Sequence, residues 1–372
     1  MPGTADARDE IDRRFMAAAI RFSARHAGLT ATNPSVATLI VREDGAFPRI
    51  VGRGVTAVGG RPHAEPQALA EAGELARGAT AYVTLEPCAH HGRTPPCANA
   101  LVAAGVARVV GAASDPDPRV SGKGYAILRE AGIEVTESVL AAEAADMMAG
   151  YLMRSVRKRP EVILKLAVSS DGMIGKAGAG QVAITGPVAR RQAHLLRARC
   201  DAIVVGIGTA IVDDPELTVR LPGLEGRSPV RIVLDRNARL PVASKLARSA
   251  RTVPVWLAAA SQADAGRRHA LEQAGVRMLA TETFDGSVAL PELLDDMAAQ
   301  GMSSVLVEAG ADTARAFLAD DLVDRIVLFD GPVRVGDGGI AAPFDADRLP
   351  PGFRLLRDER FGPDRCREWT RG

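Results

Sequence analysis

The sequence predicts a two-domain α/β protein, and three observations predict it. Its 372 residues exceed one ordinary domain, at roughly 150 residues each. Short apolar runs alternate with segments of helical periodicity along nearly the whole chain, the pattern of mostly parallel sheets covered by helices. Midway, the basic run Arg154-Ser-Val-Arg-Lys-Arg-Pro160 interrupts the alternation, and a proline disfavours helix in the residue before it. The domains are therefore placed at 1–157 and 160–372. The same run also reads as one solvated helix end whose cations suit the helix dipole. Both readings stop the helix at the same place.

Ile11, Phe15, Ala18 and Phe22 recur at helical spacing and predict a helix over 9–25. Strands follow at 36–41 and 50–56, separated by the turn signal Glu43-Asp-Gly45. A helix over 65–77 ends near Gly78, and the buried strand 81–85 runs into Glu86-Pro-Cys88. Then come a helix at 97–104, a strand at 108–113, a helix at 122–131, a strand at 133–135 and a long helix at 141–156. The second half restarts with a strand at 162–168 and a helix at 187–199. Further strands are read at 202–205, 230–234, 255–258, 276–279, 304–307 and 326–329. Helices are read at 264–272, 291–300 and 312–318.

Composition narrows the function. Apolar residues at 47% and charged residues at 24% argue against a disordered chain. Lys+Arg 46 against Asp+Glu 45 leaves +1, so no net basic charge points to a polyanion partner. Aromatics at 4% count against base-stacking platforms. No apolar run approaches the roughly 20 residues of a bilayer span. The opening residues are polar and acidic with no apolar signal core, so a cytoplasmic protein is expected. Four cysteines, Cys88, Cys97, Cys200 and Cys366, are too few for a disulfide scaffold of this size, and a clustered pair suggests metal.

The sharpest signal is His63-Ala-Glu65 followed by Pro87-Cys88 and Cys97. One imidazole and two thiolates give zinc three protein ligands and leave one position open for water, whose pKa falls to about 7. Glu65, two residues after the histidine and near a helix start, is placed to move a proton from that water to a leaving amine. This is the zinc-deaminase pattern, with one departure: Cys88 and Cys97 are nine apart rather than three. A closed structural zinc site is the competing reading, with His90 or His91 as a fourth ligand. Cys200 and Cys366 lie far from the cluster and read as inert packing residues.

His63-Ala-Glu65 and Thr84-Leu-Glu-Pro-Cys-Ala-His-His-Gly-Arg-Thr-Pro-Pro-Cys97 resemble the deaminase half of the bifunctional riboflavin-biosynthesis deaminase/reductase family, which has this long cysteine spacing. Asn33-Pro-Ser-Val36 and Asp115-Pro-Asp-Pro-Arg-Val-Ser-Gly-Lys-Gly124 resemble its other deaminase motifs. The resemblance implies a cytidine-deaminase-like three-layer domain. In it His63, Cys88 and Cys97 hold zinc, Glu65 shuttles protons, and Asn33, Arg93, Asp115 and Asp117 line the pyrimidine or phosphate pocket. Two positions depart: Ala37 stands where glycine is usual, and Asp117 where asparagine is common. An ionised carboxylate cannot donate a hydrogen bond as an amide does.

The second half is less explicit by itself. Val205-Gly-Ile-Gly-Thr209 follows a strand and places N–H groups where a phosphate could sit. Ile211 occupies the third glycine position of the dinucleotide fingerprint, so a plain tight turn is an equal reading. Asp213-Asp-Pro-Glu-Leu-Thr-Val-Arg220 reads as a polar turn. Arg197 and Arg199, two apart, cannot share a helix face, so at most one enters a site. The family resemblance continues through Leu164-Lys-Leu-Ala-Val-Ser-Ser-Asp-Gly-Met-Ile-Gly175, Ile184-Thr-Gly-Pro-Val-Ala-Arg190, the segment 206–220 and Val307-Glu-Ala-Gly310. It implies a dihydrofolate-reductase-like domain. Ala167, Thr209, Asp213 and Gly310 would contact NADPH, and Arg197, Leu217, Arg220 and Glu308 the phosphoribosyl substrate. Arginines suit phosphate through paired N–H donors. Ala183 replaces a common tryptophan, removing a contact worth on the order of 1 kcal/mol. Arg236 stands where the family often has serine, and reads either as a grip on the 2′-phosphate of NADPH or as a surface arginine.

The resemblance thus implies a two-step enzyme with zinc, NADPH and one small-molecule substrate, working as a homo-oligomer. It would deaminate 2,5-diamino-6-(5-phosphoribosylamino)pyrimidin-4-one hydrolytically and then reduce the ribosyl to a ribityl side chain. The alternatives are a nucleoside or tRNA deaminase with a non-catalytic C-terminal binding domain, and a scaffold with structural zinc.

Overall fold

The computed structural model describes residues 4–45, 47–90, 95–117, 120–284, 286–345 and 347–371. The chain forms two compact units, Met1–Lys158 and Arg159–Gly372.

The first unit is a five-stranded sheet between helices. Its strands are β1 (Ala37–Arg42), β2 (Arg49–Val55), β3 (Thr80–Leu85), β4 (Arg108–Ala113) and β5 (Glu134–Thr136), in the order β2-β1-β3-β4-β5. Its helices are α1 (Thr4–Ser23), α2 (Ala64–Ala72), α3 (Cys97–Ala104), α4 (Lys123–Glu130), α5 (Ala141–Met147) and α6 (Ala149–Arg157). Helix α1 packs with α5 against β3 and β4, and α2, α3 and α4 pack on one another in sequence. β3 and β4 are buried at every position, as strands covered on both faces must be.

The sheet is mixed rather than mostly parallel. β1 runs antiparallel to both β2 and β3, because the short connection after β1 is a hairpin; β3, β4 and β5 are parallel. The long helix read over 141–156 is two helices, broken at Met148 (φ −113°), which is buried in the core. A buried polar cluster ties α1 to the sheet: Arg108 donates twice to Asp12, at 2.8 and 2.6 Å, and the Tyr82 hydroxyl donates to Asp12 at 2.8 Å.

The second unit is built on a nine-stranded sheet. Its strands are β6 (Glu161–Val168), β7 (Met173–Lys176), β8 (Ala202–Gly206), β9 (Val230–Leu234), β10 (Val255–Ala260), β11 (Arg277–Thr281), β12 (Thr283–Phe284), β13 (Ser287–Val288), β14 (Ser304–Val307), β15 (Arg325–Asp330), β16 (Gly339–Ala341), β17 (Phe353–Phe361) and β18 (Asp364–Arg371). Its helices are α7 (Pro187–Arg197), α8 (Ile207–Asp213), α9 (Lys245–Arg248), α10 (Ala265–Ala274), α11 (Leu290–Ala299) and α12 (Ala311–Ala319). The main sheet runs β11-β10-β9-β8-β14-β6-β15-β18-β17, parallel up to β15 and antiparallel beyond it.

The pairs β7–β16 and β12–β13, the helices α8 and α9, and the hairpin β17–β18 have no counterpart in the apolar patterning. β17 is largely exposed and strongly charged. Within the hairpin Arg365 pairs with Asp358 and Arg371 lies over the Phe353 ring, and Arg367 ties it to Asp330 of β15.

Candidate functional site

Register places one set of functional side chains at a single edge of the first sheet. Thr38 pairs with Val83 and Ala37 with Val55, so the start of β1 lies beside the ends of β3 and β2. β4 runs parallel to β3 and ends at the same edge. Residues 33–36, 56–63, 86–88 and 114–117 therefore converge there.

Helix α2 brings in His63 and Glu65. His63 is its N-cap, and Glu65 is its second residue, with 4% of its surface exposed. The helix lies directly on the β2 backbone. A Cβ at Gly52 would fall 2.2 Å from the Ala68 carbonyl oxygen, and one at Gly54 would fall 2.0 Å from that of Ala64. Only glycine permits that approach.

Cys88 follows β3, and Cys97 is the first residue of α3. The Cys97 N–H donates to Cys88 Sγ at 3.3 Å, and the Ala98 N–H donates to the Cys88 carbonyl at 3.3 Å. His63 Nδ1 lies 3.4 Å from Cys97 Sγ and 3.9 Å from Cys88 Sγ. The three donor atoms fall within 4.8 Å of one another. Tetrahedral zinc with these ligands sets donor separations of about 3.6–3.8 Å, so the trio fits that ion. Among the described residues the group has three donors and no fourth; His90 stands outside it, and His91 lies outside the described residues.

The trio has the electrostatics of a ligand set. The hydrogen bond with Cys97 and the nearby His63 hold the Cys88 thiol down as thiolate, and the same bond pushes the Cys97 thiol up. His63 is pushed up chiefly by its hydrogen bond to Cys88. Full deprotonation of all three donors needs a cation among them. Burial pushes the Glu65 carboxyl up, toward the form that carries a proton. Elsewhere burial pushes the Cys200 thiol up, and that of Cys366 to about 12, so both are protonated packing groups.

The remaining first-unit candidates border this edge. Asp115 accepts from the Tyr151 hydroxyl at 3.2 Å and from the Asp117 N–H at 2.9 Å, and burial pushes its carboxyl up. The Asn33 side chain packs on Gly60, whose φ of +88° suits glycine. Asn33 is held by its carbonyl, which accepts from Thr30 Oγ1 at 2.6 Å. Arg93 lies outside the described residues.

The second set gathers where the parallel strands β6, β8 and β14 end, the usual place for ligands in such sheets. Gly206 caps α8 after β8, and Gly310 caps α12 after β14. The Val205–Thr209 segment is thus a strand-to-helix junction. The two helix starts touch: the Gly310 N–H donates to Thr209 Oγ1 at 3.2 Å, and a Cβ at Gly206 would lie 2.3 Å from Thr313 Oγ1. Ala167 sits near the end of β6, and Asp213 closes α8 with burial pushing its carboxyl up. Past Ile207 and Thr313 opens a cavity of about 880 Å³, within the range of small-molecule and cofactor sites. Two helix starts beside such a cavity suit a dinucleotide.

Arg197 and Glu308 form a bidentate pair, Nε to Oε1 at 2.7 Å and Nη2 to Oε2 at 3.0 Å. Arg197 also donates to the Thr218 carbonyl at 3.1 Å. Burial favours the neutral acid, but the Lys165 and Arg197 charges outweigh it and hold the Glu308 carboxyl at about 2. Leu217 is buried at φ +55°, and Arg220 pairs with Glu216 at 2.8 Å on the surface. Arg199 lies beyond the end of α7 and is exposed, so Arg197 is the one that faces inward. Lys165, 3.5 Å from Glu308, joins the pair without belonging to any charge motif along the chain. Its signal is a lone cation inside the apolar strand Glu161–Val168.

Both units have known relatives. Residues 9–113 match the family described as cytidine and deoxycytidylate deaminase zinc-binding region, and residues 160–366 match the RibD C-terminal domain. The riboflavin biosynthesis protein RibD of Escherichia coli is 39% identical, over 95% of this chain and 98% of that protein. That of Aquifex aeolicus is 38% identical, over 88% and 89%. The Acinetobacter baumannii RibD structure (form 1) superposes with a TM-score of 0.83 at 36% identity, covering 98% of this chain and 99% of that one. A Thermotoga maritima structure described as a diaminohydroxyphosphoribosylaminopyrimidine deaminase/5-amino-6-(5-phosphoribosylamino)uracil reductase gives 0.84 at 30% identity, covering 98% and 100%.

Proposed function

The chain belongs to the RibD family of riboflavin-biosynthesis proteins, and from that premise we propose how its residues divide the work. It is a bifunctional enzyme, a zinc-dependent deaminase joined to an NADPH-dependent reductase. The match of residues 160–366 to the reductase family displaces the nucleoside or tRNA deaminase with a passive binding domain.

Residues 1–157 carry the deaminase. His63, Cys88 and Cys97 hold zinc, which when bound supplies the Lewis acidity that makes water nucleophilic near neutral pH. The observation that carries this reading is His63 Nδ1 facing both sulfurs at one sheet edge. Glu65, buried beside them, takes the proton of the attacking water and gives it to the departing nitrogen. A C–O bond forms at the ring carbon, the C–N bond breaks, and ammonia leaves. Asn33, Asp115, Asp117 and Arg93 orient the pyrimidine and its phosphate. The acceptor-only carboxylate of Asp117 offers the ring a different hydrogen bond from an amide.

Residues 160–372 carry the reductase. Ala167, Thr209, Asp213 and Gly310 would hold NADPH, which would supply the hydride for reduction at C1′ of the opened sugar, the balancing proton coming from water. Arg197, Leu217, Arg220 and Glu308 bind the phosphoribosyl part, with the arginines as the phosphate donors. The substrate is the diaminopyrimidinone ribosylamino phosphate, and the enzyme works in the cytoplasm as a homo-oligomer. No helix of the described residues is long and apolar enough to cross a membrane.

The test supplies that substrate and NADPH to zinc-loaded protein and follows ammonia and NADPH together. Coupled ammonia release and NADPH oxidation are expected. Ammonia alone would overturn the reductase assignment, and neither product would overturn the substrate.

A further inference from the structure

One cation of the second unit is buried completely. Arg231, the second residue of β9, has 0% of its surface exposed. Its Nη1 donates to the Glu216 carbonyl at 3.0 Å and to Ser249 Oγ at 2.8 Å. Its Nη2 donates to the Ser249 carbonyl at 3.2 Å and to the Val253 carbonyl. These bonds use every N–H of the two terminal nitrogens.

We propose that Arg231 is a positioning residue of the reductase site, fixing the segment 214–220 so that Leu217 and Arg220 meet the phosphoribosyl substrate. The proposal rests on reading the second unit as a reductase.

The segment has a backbone that must be held. Asp214 has φ +37° and Leu217 φ +55°, a region that L side chains rarely adopt. Such conformations persist where the surroundings over-determine them, and here they do. Asp214 Oδ1 accepts from the N–H of Lys245, the first residue of α9, at 2.8 Å. Ser249, just past the end of α9, shares Arg231 with Glu216. The segment is thus pinned at both ends of one short helix. Further along, Arg197 takes the Thr218 carbonyl, and the Val219 N–H donates to Ser228 Oγ at 3.0 Å.

Glu216 passes the constraint to the site. Its carbonyl is held by Arg231, while its carboxylate pairs with Arg220 at 2.8 Å. Leu217, the next residue, takes its place from the same peptide. Arginine suits this post because its planar fork spans Glu216 on one side and Val253 on the other, where an ammonium would be a point donor. Burial pushes the guanidinium down to about 10, so it stays charged at neutral pH and its hydrogen bonds are charge-assisted. With no exposed surface, Arg231 acts through Glu216 rather than on the substrate.

The test is steady-state kinetics on the full chain, with NADPH and the deaminated phosphoribosylaminopyrimidine. Arg231→Met removes the donors, and Arg231→Lys keeps the charge without the fork. Both are expected to raise KM for the pyrimidine by about tenfold or more with kcat within about threefold, the mark of lost ground-state binding. NADP⁺ affinity by calorimetry and ammonia release should stay within about twofold of the unaltered protein. Ser249→Ala removes one acceptor and should raise KM in the same direction by less. An unchanged KM in folded variants, or matching losses in kcat and NADP⁺ affinity, would overturn the proposal and leave the reductase reading intact. Loss of cooperative unfolding in both arginine variants, with KM unchanged in Ser249→Ala, would make Arg231 a support of the core and also overturn it. If the unaltered protein oxidises no NADPH with this substrate, the reductase reading itself falls.

Discussion

Gly54 of β2 lies beneath the carbonyl of Ala64, so close that a methyl group there would come within 2.0 Å of that oxygen. Ala64 sits between His63 and Glu65. The strand's missing side chain therefore sets the height of the helix start that presents both groups.

Gly54→Ala should lift that helix start. Overpacking of this kind costs about 1–3 kcal/mol, and here the displacement falls on the metal donor. The expected result is reduced zinc per chain by elemental analysis, with ammonia release down at least about 100-fold, on the scale of a misplaced catalytic group. Binding of NADP⁺ should be unchanged. Full zinc content with full deaminase activity would disprove the link between strand and site.

Glu65→Gln keeps the shape and removes the proton carrier. Ammonia release should fall by about 10²–10⁴, while zinc content stays at the unaltered level. A variant retaining more than half the rate would show that another group moves the proton.

Zinc removal should separate the two activities. All three donors come from residues 63–97, and the reductase candidates span residues 167–310. Chelation should abolish ammonia release yet leave NADPH oxidation intact when the deaminated intermediate is supplied. Loss of both activities would contradict that division.

Glu308 gives the second unit an acid-sensitive term. Its carboxyl is held at about 2 by Lys165 and Arg197 against the effect of burial, below the roughly 4.3 of an unfolded chain. The charged form therefore contributes stability that is fully present above about pH 4.3 and lost as pH falls through about 2. The shift corresponds to on the order of 3 kcal/mol. Trp256 and Trp369, the chain's two tryptophans, both belong to this unit, so their fluorescence reports its unfolding in urea. Glu308→Gln should be less stable at pH 7, because two partly buried cations lose their partner. It should also lose less stability than the unaltered chain between pH 4.3 and 2. Parallel pH curves for the two proteins would rule this term out.

Legibility in the sequence followed the physics of each element. The covered strands Thr80–Leu85 and Arg108–Ala113 stand out because both faces are apolar. The metal donors stand out because imidazole and thiol groups are chemically rare and their spacing is tight. The hairpin ending in β18 was invisible to an apolar pattern, since cross-strand ion pairs such as Arg365 with Asp358 hold it. Helix α8 was hidden by Gly206 at its cap and Gly208 within it, which read as a turn until the contact of Gly206 with Thr313 is known. Lys165 needed three dimensions, because its partner Glu308 lies far along the chain.

Strand order also sets a timetable for synthesis. The last strand of the first sheet is β5, and its unit closes near residue 158, with every metal donor already made. The second sheet waits for β18, which lies inside it between β15 and β17, about 200 residues later. At about 5–20 residues per second that interval is roughly 10–40 s. The ion can therefore be captured on the ribosome while the reductase sheet still lacks an interior strand. A shortage of zinc during translation would act on the nascent deaminase alone.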